Sequence, residues 1–289
     1  MRRTFEEHLQ FAVENAGNRY SPGVVAKEML HFDILRALSE SSLGDRLSFQ
    51  GGTALRTCYG GDRLSEDLDF VCGGGDAEPL AIEPMAEILH EQMTERYGLA
   101  VDEIKGPKGQ DLTEQARVKR WEFIVQVPVE GRFQRIRVEI CNVQAHEPTP
   151  KLIRPLYTPL EHIEPIVLHV ESEREILADK IVALAARKWI KYRDVWDLKH
   201  LKDRDLVPDT NLVQTKAADY GLAVSELSSG LDQARSMLET SEAKKGFVKE
   251  MNRFVSIPLA RRMEKYPELS EEWFSNATIM LQAALERLS

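Results

Sequence analysis

Two separated patterns in this chain carry residue types suited to handling phosphate, and the first lies at 47–72, LSFQGGTALRTCYGGDRLSEDLDFVC. Leu47, Ser48 and Phe49 lead into Gly51-Gly52-Thr53, after which Ala54, Leu55, Arg56 and Thr57 favour a helix. The order is strand, glycine turn, helix N-terminus. Glycine lets backbone come close to a ligand, and the free N–H groups opening a helix carry partial positive charge, a combination that suits a triphosphate. Taken alone, a glycine pair is equally an ordinary tight turn. Further on, Asp67-Leu68-Asp69-Phe70-Val71 alternates acid with apolar residue, as a strand with one buried face does, so Asp67 and Asp69 point the same way. Two carboxylates on one face repel unless a divalent cation sits between them, and Mg²⁺ favours oxygen ligands together with substrate phosphates. A DxD is common on solvated loops; here it opens a strand behind a glycine turn and an Arg63-Leu64-Ser65 lead.

The second pattern lies beyond residue 170. A helix expected over 172–192 sets Lys180, Ala183 and Arg187 along one face, with Ile176, Leu177, Ile181 and Leu184 beside them. Asp194 and Asp197 follow at helical spacing on a common face. A run such as RKWIKYRD is ordinarily a solvated, charged surface.

The elements that must position these residues can be read around them. Helices are expected over 4–16, over 22–39 behind Ser21 as cap and Pro22 in the first turn, and over 79–97. His31, in the second of these, reads as a packing residue. Gly73-Gly74-Gly75-Asp76 gives a flexible exit from the acid-bearing strand. A strand at 99–104, a polar loop at 106–115, and strands at 118–129 and 133–143 joined by a Glu130-Gly131-Arg132 turn come next. Glu139, on the last strand, has two readings of equal weight: a third acid for a metal, or a solvated residue paired with Arg135 or Arg137. Residues 147–165 hold five prolines and read as an extended connection. The rest is helical, including 225–239, 242–254 and 271–288. The expected architecture is α+β: a mixed sheet flanked by helices at 1–150, a connection at 151–165, and an all-helical domain at 166–289.

Composition sets outer bounds. With 289 residues, 43% hydrophobic and 29% charged, the chain can bury a core and hold two domains. No apolar run is long enough to span a bilayer, and the charged N-terminal sequence lacks a signal-peptide pattern, so a cytoplasmic location is expected. Cys58, Cys72 and Cys141, an odd number without CxxC spacing, suggest neither disulfides nor a zinc site. A net charge of −9 argues against a surface coated for unspecific nucleic-acid binding, while leaving room for a local basic groove, for which Lys119, Arg120, Arg132, Arg135, Arg253, Arg261, Arg262 and Lys265 are the available cations.

GGTALR followed by RLSEDLDF resembles the nucleotidyltransferase superfamily and is most similar to the AbiEii/AbiGii toxin family. EILADKIVAL, then Arg187, then RDVWDL resembles that family's later motifs in the same order. The resemblance implies a polymerase-β-like fold and a Mg²⁺-dependent transfer of a nucleoside monophosphate from a nucleoside triphosphate, with tRNA 3′ ends as an acceptor known among relatives. It also implies a toxin or phage-defence effector with an antitoxin encoded nearby. Carried over by position, Gly51, Gly52 and Thr53 hold phosphates, and Arg56, Arg63 and Ser65 bind the nucleotide with them. Asp67 and Asp69, with Glu139 as a possible third acid, hold the metal. Lys180 contacts the triphosphate and Asp194 acts near it; Arg187 and Asp197 are supports for the Lys180 helix. A small-molecule nucleotidyltransferase, or a module that binds nucleotide without turnover, remains the alternative.

Overall fold

A computed structural model describes residues 4–73, 87, 90–91, 93–94, 98–99, 101–111, 116–127, 133–157 and 165–288. The chain divides into two compact units, one of Met1–Gly60, Ser65–Asp111 and Arg117–Val170, the other of Gly61–Leu64, Leu112–Ala116 and Glu171–Ser289.

The first unit is built on a mixed sheet. Its strands are β1 (Ser48–Gln50), β2 (Asp67–Val71), β3 (Val101–Asp111), β4 (Arg117–Gln126), β5 (Phe133–Cys141), β6 (Pro148–Ile153) and β7 (Ile166–Glu171). Their order across the sheet is β3-β4-β5-β2-β1-β7-β6. The acid-bearing strand β2 is therefore central. It runs antiparallel to β1, with Gln50 opposite Asp69, and parallel to β5, with Asp67 opposite Arg137 and Asp69 opposite Glu139. Its apolar positions Leu68 and Phe70 are buried, as are Phe49 on β1 and Val138 and Ile140 on β5. The Phe49 and Phe70 rings lie 5.1 Å apart and join these two strands from the core side. Helices α1 (Phe5–Asn15), α2 (Pro22–Glu40) and α3 (Gly51–Cys58) lie in the same unit. Thr4 and Glu7 form a capping box on α1, and Pro22 occupies the first turn of α2.

The second unit is helical: α4 (Glu173–Ala186), α5 (Tyr192–Lys202), α6 (Thr210–Asp219), α7 (Val224–Leu238), α8 (Ser241–Met251), α9 (Ile257–Lys265) and α10 (Glu271–Leu285). Ser172, Asp209 and Thr240 each accept a backbone N–H and so cap α4, α6 and α8. Helix α7 approaches α4 closely at Gly230, where a Cβ would stand 2.2 Å from the Ala185 carbonyl oxygen. Trp196, Phe247, Trp273 and Phe274 stack or meet edge-on between α5, α8 and α10.

Several expectations change. The loop expected at 106–115 is, in its described part, a continuation of β3, paired with β4 through two register shifts; a partner strand overrides the local turn signal of Gly106-Pro107. The proline-rich connection contains β6, a strand at the sheet's end in the strand order, where proline is tolerated. The helix expected over 172–192 ends at Ala186, and Arg187 is extended. Arg187, Lys188 and Lys191 would crowd like charge on a continued helix. The helix expected at 79–97 lies largely outside the described residues, as do 74–76 and the turn at 130–132.

Candidate active site

The residues singled out in the sequence form a polar locus in each unit. In the first, β2 presents Asp67 and Asp69, both half-buried, between β1 and β5. Gly51, at the start of α3, has φ +78, a left-handed conformation that disfavours side chains, and a Cβ there would stand 2.8 Å from Asp69 Oδ2. Backbone is thus brought against a carboxylate in a space that only glycine leaves open. Thr53 is buried and its hydroxyl donates to the Asp67 carbonyl oxygen at 2.5 Å, tying the first turn of α3 to the start of β2. Gly52 is buried beside it, and Ser65 is buried just before β2.

Arginines balance these acids. Arg120 on β4 donates to Glu139 Oε1 at 2.6 Å, matching their cross-strand register. The hydrogen bond to Glu139 holds the Arg120 guanidinium above its ordinary pKa; partial burial opposes this, and the charges of Glu139, Asp67 and Asp69 add to it. Arg137 Nε lies 3.1 Å from Asp67 Oδ1. It lacks the alignment of a hydrogen bond, so Asp67 Oδ1 is buried without a hydrogen-bond partner among the described residues. Of the two readings of Glu139, the ion pair is the observed arrangement, with Arg120 rather than Arg135 or Arg137. Among the described residues no group of three or more His, Cys, Asp or Glu forms a metal cluster.

Two same-face carboxylates fit Mg²⁺, which commonly takes one or two protein carboxylates and completes its shell with water and substrate phosphate. Asp67 Oδ1, buried without a hydrogen bond though 3.1 Å from Arg137, and the close approach of the Gly51 backbone to Asp69 are the features that suit such an ion.

Arg56 stands apart from the acids. It donates to Glu28 at 2.9 Å and to the Tyr157 hydroxyl at 3.1 Å, and Tyr157 in turn donates to Glu28. Glu28 holds the guanidinium above its ordinary pKa against the cost of burial. Cys58 is free, and burial pushes its thiol up to about 11.

The second locus centres on Lys180, Asp194 and Asp197. Lys180 Nζ lies 2.6 Å from Asp194 Oδ1 and 2.8 Å from Asp197 Oδ2, with 12% of its side chain exposed. Arg187 Nη1 donates to Asp194 Oδ2. Arg63 donates to both Asp197 oxygens, at 2.5 and 2.6 Å, in a fork-on-fork pair, and also to the Leu64 carbonyl. Trp196 Nε1 donates to Asp62 at 2.9 Å, and Leu64 N–H to the Phe254 carbonyl at 2.7 Å. Segment Gly61–Leu64 is thereby fastened into the helical unit. Burial alone would lower the Lys180 ammonium, yet Asp194 and Asp197 outweigh it and the pKa is raised. Burial alone would likewise raise Asp194, but Lys180, Arg187 and Lys191 drive it well below the usual carboxylate range. Arg63 and Lys180 do the same for Asp197. Lys180 is a permanent point charge, and Asp194 a poor proton acceptor.

Of the sequence candidates, then, Gly51, Gly52, Thr53, Asp67, Asp69 and Glu139 gather around β2, and Lys180, Asp194, Asp197 and Arg187 gather between α4 and α5. Arg63 joins the second group and Arg56 neither. Sequence reasoning had Arg120 only as a cation for a basic groove and missed its pairing with Glu139, whose signal was their cross-strand position.

Two strand carboxylates beside a glycine-opened helix, on a mixed sheet followed by helices, define a nucleotidyltransferase. Residues 33–273 match the family described as nucleotidyl transferase AbiEii toxin of type IV toxin–antitoxin systems. The chain belongs to this AbiEii family of nucleotidyltransferase toxins. The fold is similar to that of MenT4, a nucleotidyltransferase toxin of Mycobacterium tuberculosis H37Rv, with TM-score 0.60, 18% identity, and 97% of this chain and 92% of that one covered. It is also similar to JHP933 of Helicobacter pylori, with TM-score 0.52, 18% identity, and 93% and 94% covered. No curated protein matches. Family membership makes the protein an enzyme that uses a nucleoside triphosphate and has an antitoxin as counterpart. No helix among the described residues is long and apolar enough to cross a membrane.

Proposed function

We propose that this toxin transfers a nucleoside monophosphate from a nucleoside triphosphate to the 3′ end of tRNA in the cytoplasm, in a Mg²⁺-dependent reaction, as a growth-arresting or phage-defence effector. The observation that carries the reading is the pair Asp67 and Asp69 on central β2, with Gly51 held in a left-handed conformation against Asp69. The acceptor hydroxyl oxygen bonds to the α-phosphorus, the bond to the β-phosphate oxygen breaks, pyrophosphate leaves, and the hydroxyl proton passes to solvent or a carboxylate. Such transfers depend on positioning and charge neutralisation more than on covalent catalysis. Mg²⁺ held by Asp67 and Asp69 would supply positive charge at the phosphate oxygens.

The protein's own groups do the rest. Gly51 and Gly52 offer backbone N–H groups to phosphate at the N-terminus of α3. Lys180, kept charged by Asp194 and Asp197, contributes a fixed cation for the triphosphate. Asp194 orients Lys180 and does not take the proton, given its depressed pKa. Thr53, Arg56 and Arg63 hold the framework in place, because their side chains are already engaged by Asp67, Glu28 and Asp197. Ser65 supports the entry to β2. Glu139 holds Arg120 across the sheet and remains available as a third acid if that pair opens.

The test is incubation of the protein with each nucleoside triphosphate in turn, Mg²⁺ and total cellular RNA, followed by sequencing of RNA 3′ ends. Added nucleotides on tRNA, lost on chelating the metal, are expected. Additions confined to a small molecule, or unaffected by chelation, would contradict the reading.

A further inference from the structure

From the end of α4 into the first turn of α5, residues 187–193 read Arg-Lys-Trp-Ile-Lys-Tyr-Arg, four cations and no acid in a chain of net charge −9. In the middle stands Trp189, 65% exposed, more than any other large apolar residue described. The other three tryptophans, Trp121, Trp196 and Trp273, are buried or half-buried. Both ends of the link are anchored. Arg187 is bonded to Asp194, Tyr192 meets the edge of Phe247 at 6.2 Å, and Arg193 lies over Phe254 at 4.5 Å. The indole is thus held outward on a tethered segment without contributing to the core.

Its neighbours Lys188 and Lys191 add charge. Lys188 and Lys191 have no ion-pair partner among the described residues. Burial pushes the Lys191 ammonium down; Asp194 opposes this, while Arg193, Lys180 and Arg187 add to it.

An exposed aromatic face flanked by cations on a segment without an acid matches one chemistry well. Single-stranded nucleic acid stacks bases on aromatic rings and sets its phosphates against cations, whereas a paired helix keeps its base faces hidden. A protein hot spot would place the indole at the centre of a packed patch that excludes water. Ile190, the one other apolar residue of the link, is half-buried, and all the rest are charged or, for Tyr192, packed on Phe247.

We infer that Trp189 stacks on an unpaired base at the single-stranded end of the RNA acceptor, with Lys188 and Lys191 contacting the adjoining phosphates. The inference rests on the RNA-acceptor reading above and adds to it the residues that select a single-stranded end.

The experiment is steady-state transfer by the full-length chain with RNA acceptor and nucleoside triphosphate varied in turn, for wild type, Trp189→Ala and Trp189→Phe. Trp189→Ala should raise the acceptor KM roughly tenfold and leave the triphosphate KM unchanged, with Trp189→Phe close to wild type. In a binding assay independent of turnover, a single-stranded RNA oligonucleotide should quench the wild-type tryptophan fluorescence, and the quench should vanish in Trp189→Phe. Active RNA transfer with an unaltered acceptor KM in Trp189→Ala would overturn the inference and leave the acceptor reading standing. Equal changes in both KM values would also overturn it, as would loss of antitoxin binding without a change in acceptor KM. A wild-type enzyme that labels a small molecule and never RNA would overturn both together.

Discussion

At the scale of single residues, Gly51 makes the sharpest demand. Its φ of +78 costs any other L residue about 1–2 kcal/mol, and a Cβ would press within 2.8 Å of Asp69 Oδ2. Gly51→Ala should therefore lower thermal stability modestly and reduce kcat by about tenfold or more, since small misplacements of catalytic groups are costly. Thermal unfolding and transfer assays on the one variant check both, and full activity would show that Asp69 needs no such clearance. Which acids share a face was legible in the alternation of Asp67 to Val71. The fate of Arg63 was not: its partner Asp197 lies 134 residues further along, and nothing in local spacing announces so distant a pairing. The arginine read as a phosphate ligand turns out to brace the helical unit. The partners of Arg56 were hidden for the same reason, since Glu28 and Tyr157 come to it from distant segments.

At the scale of elements, helix α2 steadies the start of β2 through His31. The buried imidazole donates from Nε2 to the Glu66 carbonyl at 3.3 Å, one residue before Asp67. Burial, helped by the charge of Lys27, lowers its pKa to about 3, against an ordinary value of 6.5. A group whose folded pKa is depressed as a base favours the folded state when neutral, so its contribution is present above the unfolded pKa and is lost as pH falls below it. From about pH 7 to about pH 5 the loss is on the order of 2 kcal/mol. Chemical denaturation of wild type and His31→Asn across that range should show a shallower pH dependence in the variant; parallel curves would place the titration elsewhere. The comparison is needed because a second buried network acts in the opposite sense. Lys216 on α6 is ringed by Glu171, Glu175 and Asp179 at 2.9 to 3.2 Å, three acids for one cation. Burial raises Glu171 and Asp179, so these carboxyls favour the folded state at low pH and lose that contribution as pH rises. Strands were legible where one face alternates, as in β2, β4 and β5. They were obscured where proline and glycine occupy strands, as in β6 and β3, because pairing partners rather than local propensity decide those positions.

At the scale of the whole molecule, the order of a sheet-based unit bearing two carboxylates and a helical unit bearing a buried lysine–carboxylate network is that of a nucleotidyltransferase toxin. Two motif blocks in the right order made that class legible before any coordinates. Which residues are engaged by partners could be seen only once the chain was folded. The central claim is that the α-phosphate, with its nucleoside, moves to an acceptor. Parallel reactions with a nucleoside triphosphate labelled in the α-phosphate or in the γ-phosphate, using wild type and Asp69→Ala, test it most directly. The account predicts that α-label becomes attached to RNA, that γ-label appears only in pyrophosphate, and that Asp69→Ala does neither while unfolding cooperatively near the wild-type temperature. Attachment of γ-label to the acceptor, or undiminished transfer by a folded Asp69→Ala protein, would contradict it.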